Sequence, residues 1–185
     1  MQKLGFTIVE LLIVIVVIAI LAATSIVAYN GTQQRARDTK RVQDMNSIVK
    51  VLEVYKTING NYPVHNYSNG TSLGGWESSS LESLGEFIAP IKPHGFPSGL
   101  PVDPINNAVG ASPLEARTNG QYTYAYYRYP AGNSGCDSTR GAFYVLGFIR
   151  SDTNGNNAYP GSPGFSCSGR NWQTEFSWVT GGYEN

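Results

Sequence analysis

Glu10 is the residue most out of place in this chain. Leu11 to Ala23 reads LLIVIVVIAILAA, thirteen apolar residues without a break, and Phe6–Val9 and Ser25–Ala28 extend the run around the acid. A carboxylate near a bilayer centre costs about 2.5–3.5 kcal/mol on insertion scales and less near an interface, so an acid kept there implies a function and a partner. Cys136 and Cys167 are the two cysteines, and their spacing matches no C-x-x-C metal or redox motif. In an exported domain such a pair reads as a structural disulfide, with free thiols as the alternative. Closing a loop of about 32 residues contributes roughly 3–4 kcal/mol in the chain-entropy model.

The remaining reactive residues form no catalytic pattern. Asp152-Thr153-Asn154-Gly155-Asn156-Asn157 places side-chain oxygens at alternating positions, so Asp152, Asn154 and Asn156 are calcium candidates. The EF-hand pattern fails there, because the glycine comes early and Pro163 stands where the bidentate Glu belongs. A plain polar turn is the competing reading. His65 and His94 lie in separate loop segments without zinc-site spacing, and read as surface or packing residues. Gly164-Phe165-Ser166-Cys167-Ser168 misses the nucleophile elbow, since Ser168 replaces its second glycine. There is no phosphate-binding glycine loop. The chain therefore reads as a non-enzyme without a resident cofactor, calcium being the one candidate ion.

The elements around these residues divide in two. The chain has 185 residues, with 13 Lys+Arg against 13 Asp+Glu, and lacks the basic excess of a general nucleic-acid binder. Twelve tyrosines beside 21 glycines suit a tyrosine-rich sheet with polar loops, not a disordered chain. Residues 6–30 form an apolar helix long enough to cross a bilayer of about 30 Å. Beyond Gly31, Val42, Met45, Ile48, Val49, Leu52, Tyr55 and Ile58 recur at three- and four-residue steps, the mark of an amphipathic helix with one buried face. Arg41, Asp44, Lys50, Glu53 and Lys56 fill polar positions between them. Gly60 is placed to cap this helix and Pro63 to stop it. Unbroken from Phe6 to Asn59, it would measure about 80 Å. The Arg35–Arg41 cluster has the charge to touch nucleic acid or anionic lipid, but in a neutral chain it reads rather as a solvated face, or as a set of partners for acids on a neighbouring subunit.

From residue 60 to 120 the chain reads as a long connecting region rich in Pro, with a short helix over Ser80–Ala89. Residues 121–185 read as an antiparallel sheet plus a cysteine-bounded loop. Gln121–Tyr129 puts Tyr122, Tyr124 and Tyr126 on one face, Ala142–Arg150 reads as the central strand, and Thr174–Thr180 puts Phe176 and Trp178 on one face. The apolar sheet face should pack on the Val42–Ile58 stripe. The fold class is α+β: a long N-terminal helix, transmembrane then amphipathic, packed on a small antiparallel sheet as a roll.

The string Lys3-Leu4-Gly5-Phe6-Thr7-Ile8-Val9-Glu10 closely resembles the class III leader of type IV prepilins and pseudopilins. The resemblance continues through Ala36-Arg37-Asp38, Leu52-Glu53, Tyr55 and Asn59-Gly60-Asn61-Tyr62-Pro63, and into Leu100-Pro101-Val102-Asp103-Pro104, similar to an element common in pseudopilin-like heads. It implies that residues 1–5 are a leader, removed after Gly5 by a membrane aspartic peptidase, and that Phe6 is then N-methylated. It implies that Glu10 pairs with the Phe6 amine of a neighbouring subunit and sets the register of helices in a filament. It also agrees with a cysteine-bounded loop near the C-terminus, and with calcium in a loop comparable to 152–157. Many members carry a helix-breaking Pro where this chain has Val27.

The expected function is thus a structural subunit of an extracellular type IV pilus filament for motility, adhesion or DNA uptake. Its implied partners are copies of itself in a helical filament, the prepilin peptidase, the inner-membrane assembly machinery and the membrane before assembly. A pseudopilin of a type II secretion system is the alternative. So, in another class, is a single-pass anchored binding protein that never polymerises. An ordinary secretory signal is disfavoured by Glu10. Arg35, Arg37, Lys40 and Arg41 follow the span while Lys3 alone precedes it, and a simple positive-inside count would put the head in the cytoplasm. The leader resemblance and the paired cysteines oppose that count and place the N-terminus inside.

Overall fold

The computed structural model describes residues 5, 7–65, 72–73, 75–80, 87–109 and 112–185. One helix, α1 (Ile8–Asn59), runs through an apolar first stretch and a patterned second one. Its contacts assign it to two units, Met1–Ala36 and Arg37–Asn185. The first unit is the apolar stretch, long and apolar enough to cross a membrane. Two of its hydroxyls are satisfied within the helix: Thr24 Oγ1 and Ser25 Oγ donate to the Leu21 carbonyl at 3.0 and 2.8 Å, the usual way a helix in an apolar medium accommodates hydroxyls.

In the second unit, α1 ends where Gly60 adopts φ 78° and its N–H reaches the Lys56 carbonyl at 2.8 Å. Only a residue without Cβ takes that left-handed turn freely. The chain continues with β1 (Ser72–Leu73), β2 (Trp76–Ser78), α2 (Lys92–Gly95), α3 (Pro113–Thr118), β3 (Tyr124–Tyr129), β4 (Phe143–Phe148), β5 (Ser166–Cys167), β6 (Arg170–Asn171) and β7 (Trp178–Tyr183). β1, β2, β3, β4 and β7 make one antiparallel sheet in that order, and β5–β6 a separate hairpin. Register is set by Tyr124 opposite Phe148 and by Phe148 opposite Trp178. The fold is the expected α+β roll.

The sheet is covered on both faces, so every residue of β4 is buried. One face meets α1: Tyr124, Tyr126, Tyr144, Leu146, Phe148 and Trp178 pack with Met45, Ile48 and Leu52. The other carries Trp76, Tyr129, Phe143, Val145, Trp172, Phe176 and Val179. Fully burying one such side chain stabilises by about 1.5–3 kcal/mol, so the second core is comparable in kind to the first. Gly147 in β4 leaves room for the chain beside it, since a Cβ there would come within 2.3 Å of the Trp178 carbonyl.

Four expectations change. Phe176 and Trp178 do not share a face: β7 starts only at Trp178, and the preceding turn Trp172–Thr174 sends Phe176 into the second core. Ile58 is 63 % exposed and does not join the buried stripe. β3 begins at Tyr124 and not at Gln121, although Tyr122 before it faces Arg41 of α1, the side on which Tyr124 and Tyr126 also pack. Among the described residues of 60–120, expected as a connecting region, β2 joins the sheet and α3 opens on a capping box in which Ser112 and Glu115 bond each other's backbone N–H. Of the expected helix Ser80–Ala89, residues 81–86 lie outside the described residues.

Candidate functional site

Two places concentrate the polar chemistry, one in each unit. In the first, α1 begins at Ile8 and Thr7 is its N-cap. The Thr7 N–H and Oγ1–H both donate to Glu10 Oε2, at 2.8 and 2.7 Å, and the Glu10 N–H donates back to Thr7 Oγ1 at 3.2 Å. This is a reciprocal capping box that satisfies otherwise orphaned helix-end donors. The acid of the apolar run is therefore held in its own first turn, where the positive end of the helix dipole also favours it. Gly5 is exposed with open space about its α-carbon. Phe6, the expected cleavage and methylation residue, lies outside the described residues. From Ile8 to Ile26 the large apolar side chains of α1 are exposed, from 47 % at Val16 to 84 % at Ile8.

In the second unit, the sequence pattern 38, 41, 45, 48, 52 lies on one helix face. Its first two members are charged and completely buried: Asp38 and Arg41 have no exposed surface. Arg41 grips Asp103 through Nε (2.8 Å) and Nη2 (3.1 Å). Its Nη1 reaches Asp38 and Asp152, each at 2.6 Å. Arg37 holds the other side of Asp152 in a second fork, both bonds at 3.0 Å. Backbone donors complete the set. Asp38 accepts from the N–H of Asp152 and Thr153 and from Thr153 Oγ1, and Asp103 accepts from the N–H of Ile105 and Asn106. Burial works against the Arg41 charge, but Asp103 and Asp152 outweigh it and raise its pKa further above the ordinary arginine value. Burial likewise opposes the Asp152 charge, and the bonds from Arg37 and Arg41 overcome it and hold the carboxyl below the ordinary value.

A buried pair is strongly stabilising only relative to its half-removed state, so the network acts mainly as a fastener. It joins α1 to the loop before α3 and to the turn after β4. Asp44 extends the same face, taking Lys40 and the Tyr124 hydroxyl, at 2.9 and 2.8 Å to its Oδ2. A smaller fastener closes the far end of α1: the Tyr62 hydroxyl donates to Glu53 (2.7 Å), Lys56 to the Tyr183 carbonyl (2.8 Å), and Arg128 forks onto Glu184 (2.7 and 2.9 Å). The Arg35–Arg41 cluster is thus not one solvated face. Arg37 and Arg41 find their acids within the head, while Arg35 and Lys40 are exposed.

The calcium candidates do not form a ligand set. Asp152 is taken by two guanidinium groups, Asn156 Oδ1 accepts from Arg150 at 2.8 Å, and the Asn154 side chain donates to the Ala158 carbonyl. Cys136 and Cys167 form a disulfide, 31 positions apart, that clasps the Asn133–Gly135 turn to the β5–β6 hairpin. His65 stacks on Tyr127 with ring centres 3.8 Å apart, and burial lowers its pKa below the ordinary histidine value. His94 packs edge-on to Tyr55, far in sequence from it.

Residues 1–26 match the family model described as the prokaryotic N-terminal methylation motif. The Type II secretion system core protein G of Escherichia coli is 32 % identical over 106 residues, which is 57 % of this chain and 69 % of that protein. The chain belongs to the type IV pilin and pseudopilin family. A second relative, the Type IV wide pilus major component PilA4 of Thermus thermophilus, is 47 % identical over 58 residues, 31 % of this pilin-like chain and 44 % of that protein. The core protein G of Vibrio cholerae is 27 % identical over 106 residues, 57 % of this chain and 68 % of its own. The chain spans less than half the length of the PilA4 relative. No solved structure matches the chain. The family consists of structural subunits that assemble with other subunits into filaments.

Sequence reasoning found Glu10 but not its partner in its own chain, although Thr7-x-x-Glu10 carries the capping-box signature. Asp38 and Arg41 fall on the helix face of Met45, Ile48 and Leu52, but in the sequence their charge reads as a surface signal. Asp103 could be singled out only as part of Leu100–Pro104. Its partner lies 62 positions away.

Proposed function

We propose that this chain is a structural subunit of an extracellular type IV pilus filament. It is made as a single-pass precursor with the N-terminus inside, cut between Gly5 and Phe6, methylated at Phe6, and assembled through its N-terminal helix. It performs no catalysis of its own. The observation that carries this reading is the stretch Ile8–Ile26, headed by Glu10, whose large apolar side chains are exposed. An exposed apolar surface of this extent needs a cover. A membrane supplies one before assembly and the helices of neighbouring copies supply one afterwards. Glu10, satisfied by Thr7 in the single chain, then becomes available to a neighbour's amine. The disulfide-clasped head favours the pilus over the secretion filament.

A second reading, pseudopilin of a type II secretion system, is supported by the match to core protein G over 106 residues. N-terminal sequencing and mass measurement of sheared surface filaments test both. A mature chain beginning at methylated Phe6 in those filaments supports the pilus. The same mature chain absent from surface filaments, with protein secretion lost on deletion, supports the pseudopilin. Intact Met1 found only in membranes rejects both in favour of a non-polymerising anchor.

A further inference from the structure

A cavity of about 260 Å³ lies beside the second core, on the sheet face away from α1. Trp76 of β2 forms one wall, Ser112, Pro113 and Leu114 at the start of α3 form a second, and Arg170 of β6 with Glu175 forms the third. Trp76, 5 % exposed, is the floor, and Leu114, 54 % exposed, is the rim. We propose that this cavity binds one ring of a neutral carbohydrate. The sugar hydroxyls bond to the Arg170–Glu175 pair, and the C–H face of the ring packs on Trp76, Pro113 and Leu114. Such binding gives a surface filament an adhesive contact, and in that respect alone the inference rests on the filament reading.

The polar wall is fixed in advance. Arg170 forks onto Glu175, Nε to Oε1 at 2.7 Å and Nη2 to Oε2 at 2.6 Å, and its Nη1 donates to the Tyr129 hydroxyl at 3.0 Å. The guanidinium carbon also lies 5.3 Å from the Trp172 ring centre and 5.9 Å from that of Trp76. A pair held in this way loses little freedom when a ligand arrives, which favours affinity. Both side chains remain partly open, at 34 % for Arg170 and 20 % for Glu175. Their hydrogen-bonding capacity is not used up. Arginine has five N–H donors and an ionised carboxylate about four acceptor sites, so these three bonds leave two donors on Arg170 and two acceptors on Glu175. Donors and acceptors side by side suit neighbouring sugar hydroxyls, because each hydroxyl both donates and accepts.

Charge balance selects a neutral ligand. Arg170 and Glu175 cancel each other. Arg117, which also feels the Glu175 charge, donates to the Thr174 and Asn156 carbonyls, and Glu115, bonded to Ser112, carries the opposing charge. Two cations thus meet two anions, and no net charge remains to hold a phosphate or a carboxylate. A purely apolar occupant fits no better. It would strip water from the remaining donors and acceptors and leave them unpaired. Pockets for drug-sized ligands run to roughly 300–1,000 Å³, so this smaller cavity takes a single ring, and further units of a glycan would lie outside the Leu114 rim.

The test uses the full-length chain with its disulfide intact, in phosphocholine micelles, which carry no sugar of their own. Saturation-transfer NMR is recorded with the methyl pyranosides of glucose, galactose, mannose and N-acetylglucosamine, each at about 10 mM, which suits a Kd on the order of 1 mM. At least one of them is expected to receive saturation on its ring C–H protons. Leu114→Arg, a change at the exposed rim, should weaken that binding about tenfold while leaving Tm unchanged. Glu175→Gln leaves the Arg170 charge unopposed. It should weaken the neutral sugar about tenfold and make the chain prefer methyl glucuronide, which carries a carboxylate, over methyl glucoside. A role in folding alone would not move that preference. The inference is overturned if none of the neutral sugars receives saturation, if Leu114→Arg leaves the signal unchanged, if the native chain prefers the glucuronide, or if a folded Glu175→Gln binds sugars as the native chain does. If Glu175→Gln does not fold, Leu114→Arg decides alone. The isolated chain suffices, so a negative result leaves the filament reading standing, and filaments that lack the chain leave this inference standing.

Discussion

Arg41 and Asp103 meet fork to fork, Nε to Oδ2 at 2.8 Å and Nη2 to Oδ1 at 3.1 Å, both side chains fully buried. This contact makes the Leu100–Pro104 element part of the helix face. Asp103→Asn keeps the shape and removes the charge, leaving Arg41 one carboxylate short. A loss of about 3–5 kcal/mol is expected, as for breaking one side of a buried pair. Urea unfolding followed by circular dichroism measures it, and a loss under 1 kcal/mol would contradict the network's role as a fastener.

The same network sets a dependence on acid. The Asp152 carboxyl has its pKa lowered from 3.8 in the folded chain. Its contribution is present above the unfolded value and disappears as pH falls below 3.8 through the folded value. His65 acts at milder pH. Burial lowers its pKa from 6.5, so protonation favours the unfolded chain as pH drops below 6.5. Between pH 7 and 5 the melting temperature of the native chain should fall, and His65→Gln should flatten that slope. An unchanged slope in the variant would place the titrating group elsewhere.

Glu10→Ala removes the carboxylate from both the capping box and the proposed intersubunit pair. The shortened, cleaved subunit should still accumulate in the membrane, seen as a mobility shift on immunoblots, while sheared filaments fall at least tenfold. Thr7→Ser keeps the cap hydroxyl and should assemble normally. Normal filament yield from Glu10→Ala would remove the pairing role.

The Cys136–Cys167 bridge closes a loop over 31 positions. Reducing it, or making Cys136→Ser with Cys167→Ser, should cost about 3–4 kcal/mol in the chain-entropy model. Thermal melts with and without a phosphine reductant check this on one sample. The double variant should show no response to reductant.

Much of this molecule is written in local pattern. The apolar run, the lone Glu10, the three- and four-residue steps from Val42 to Leu52, Gly60 before Pro63, and the alternation through Tyr124 and Tyr126 each depend on neighbours within a turn or a strand. Backbone periodicity alone exposes such features. Two capping boxes, Thr7/Glu10 and Ser112/Glu115, belong to the same class. Their Thr/Ser-x-x-Glu spacing is written in the sequence alone.

What the sequence by itself determined is therefore the division into an apolar helix, an amphipathic helix and a sheet, together with the acid that the family reading turns on. What only the tertiary structure decided is which charges are inside. Asp38 and Arg41 look like surface residues until Asp103 and Asp152 arrive from 62 and 111 positions beyond Arg41. The second core also appears only when Trp172 and Phe176 fold back over β4. The physical reason is common to both. Burial of a charge, or of the far face of a strand, is set by partners distant in the chain, and no local period records who those partners are.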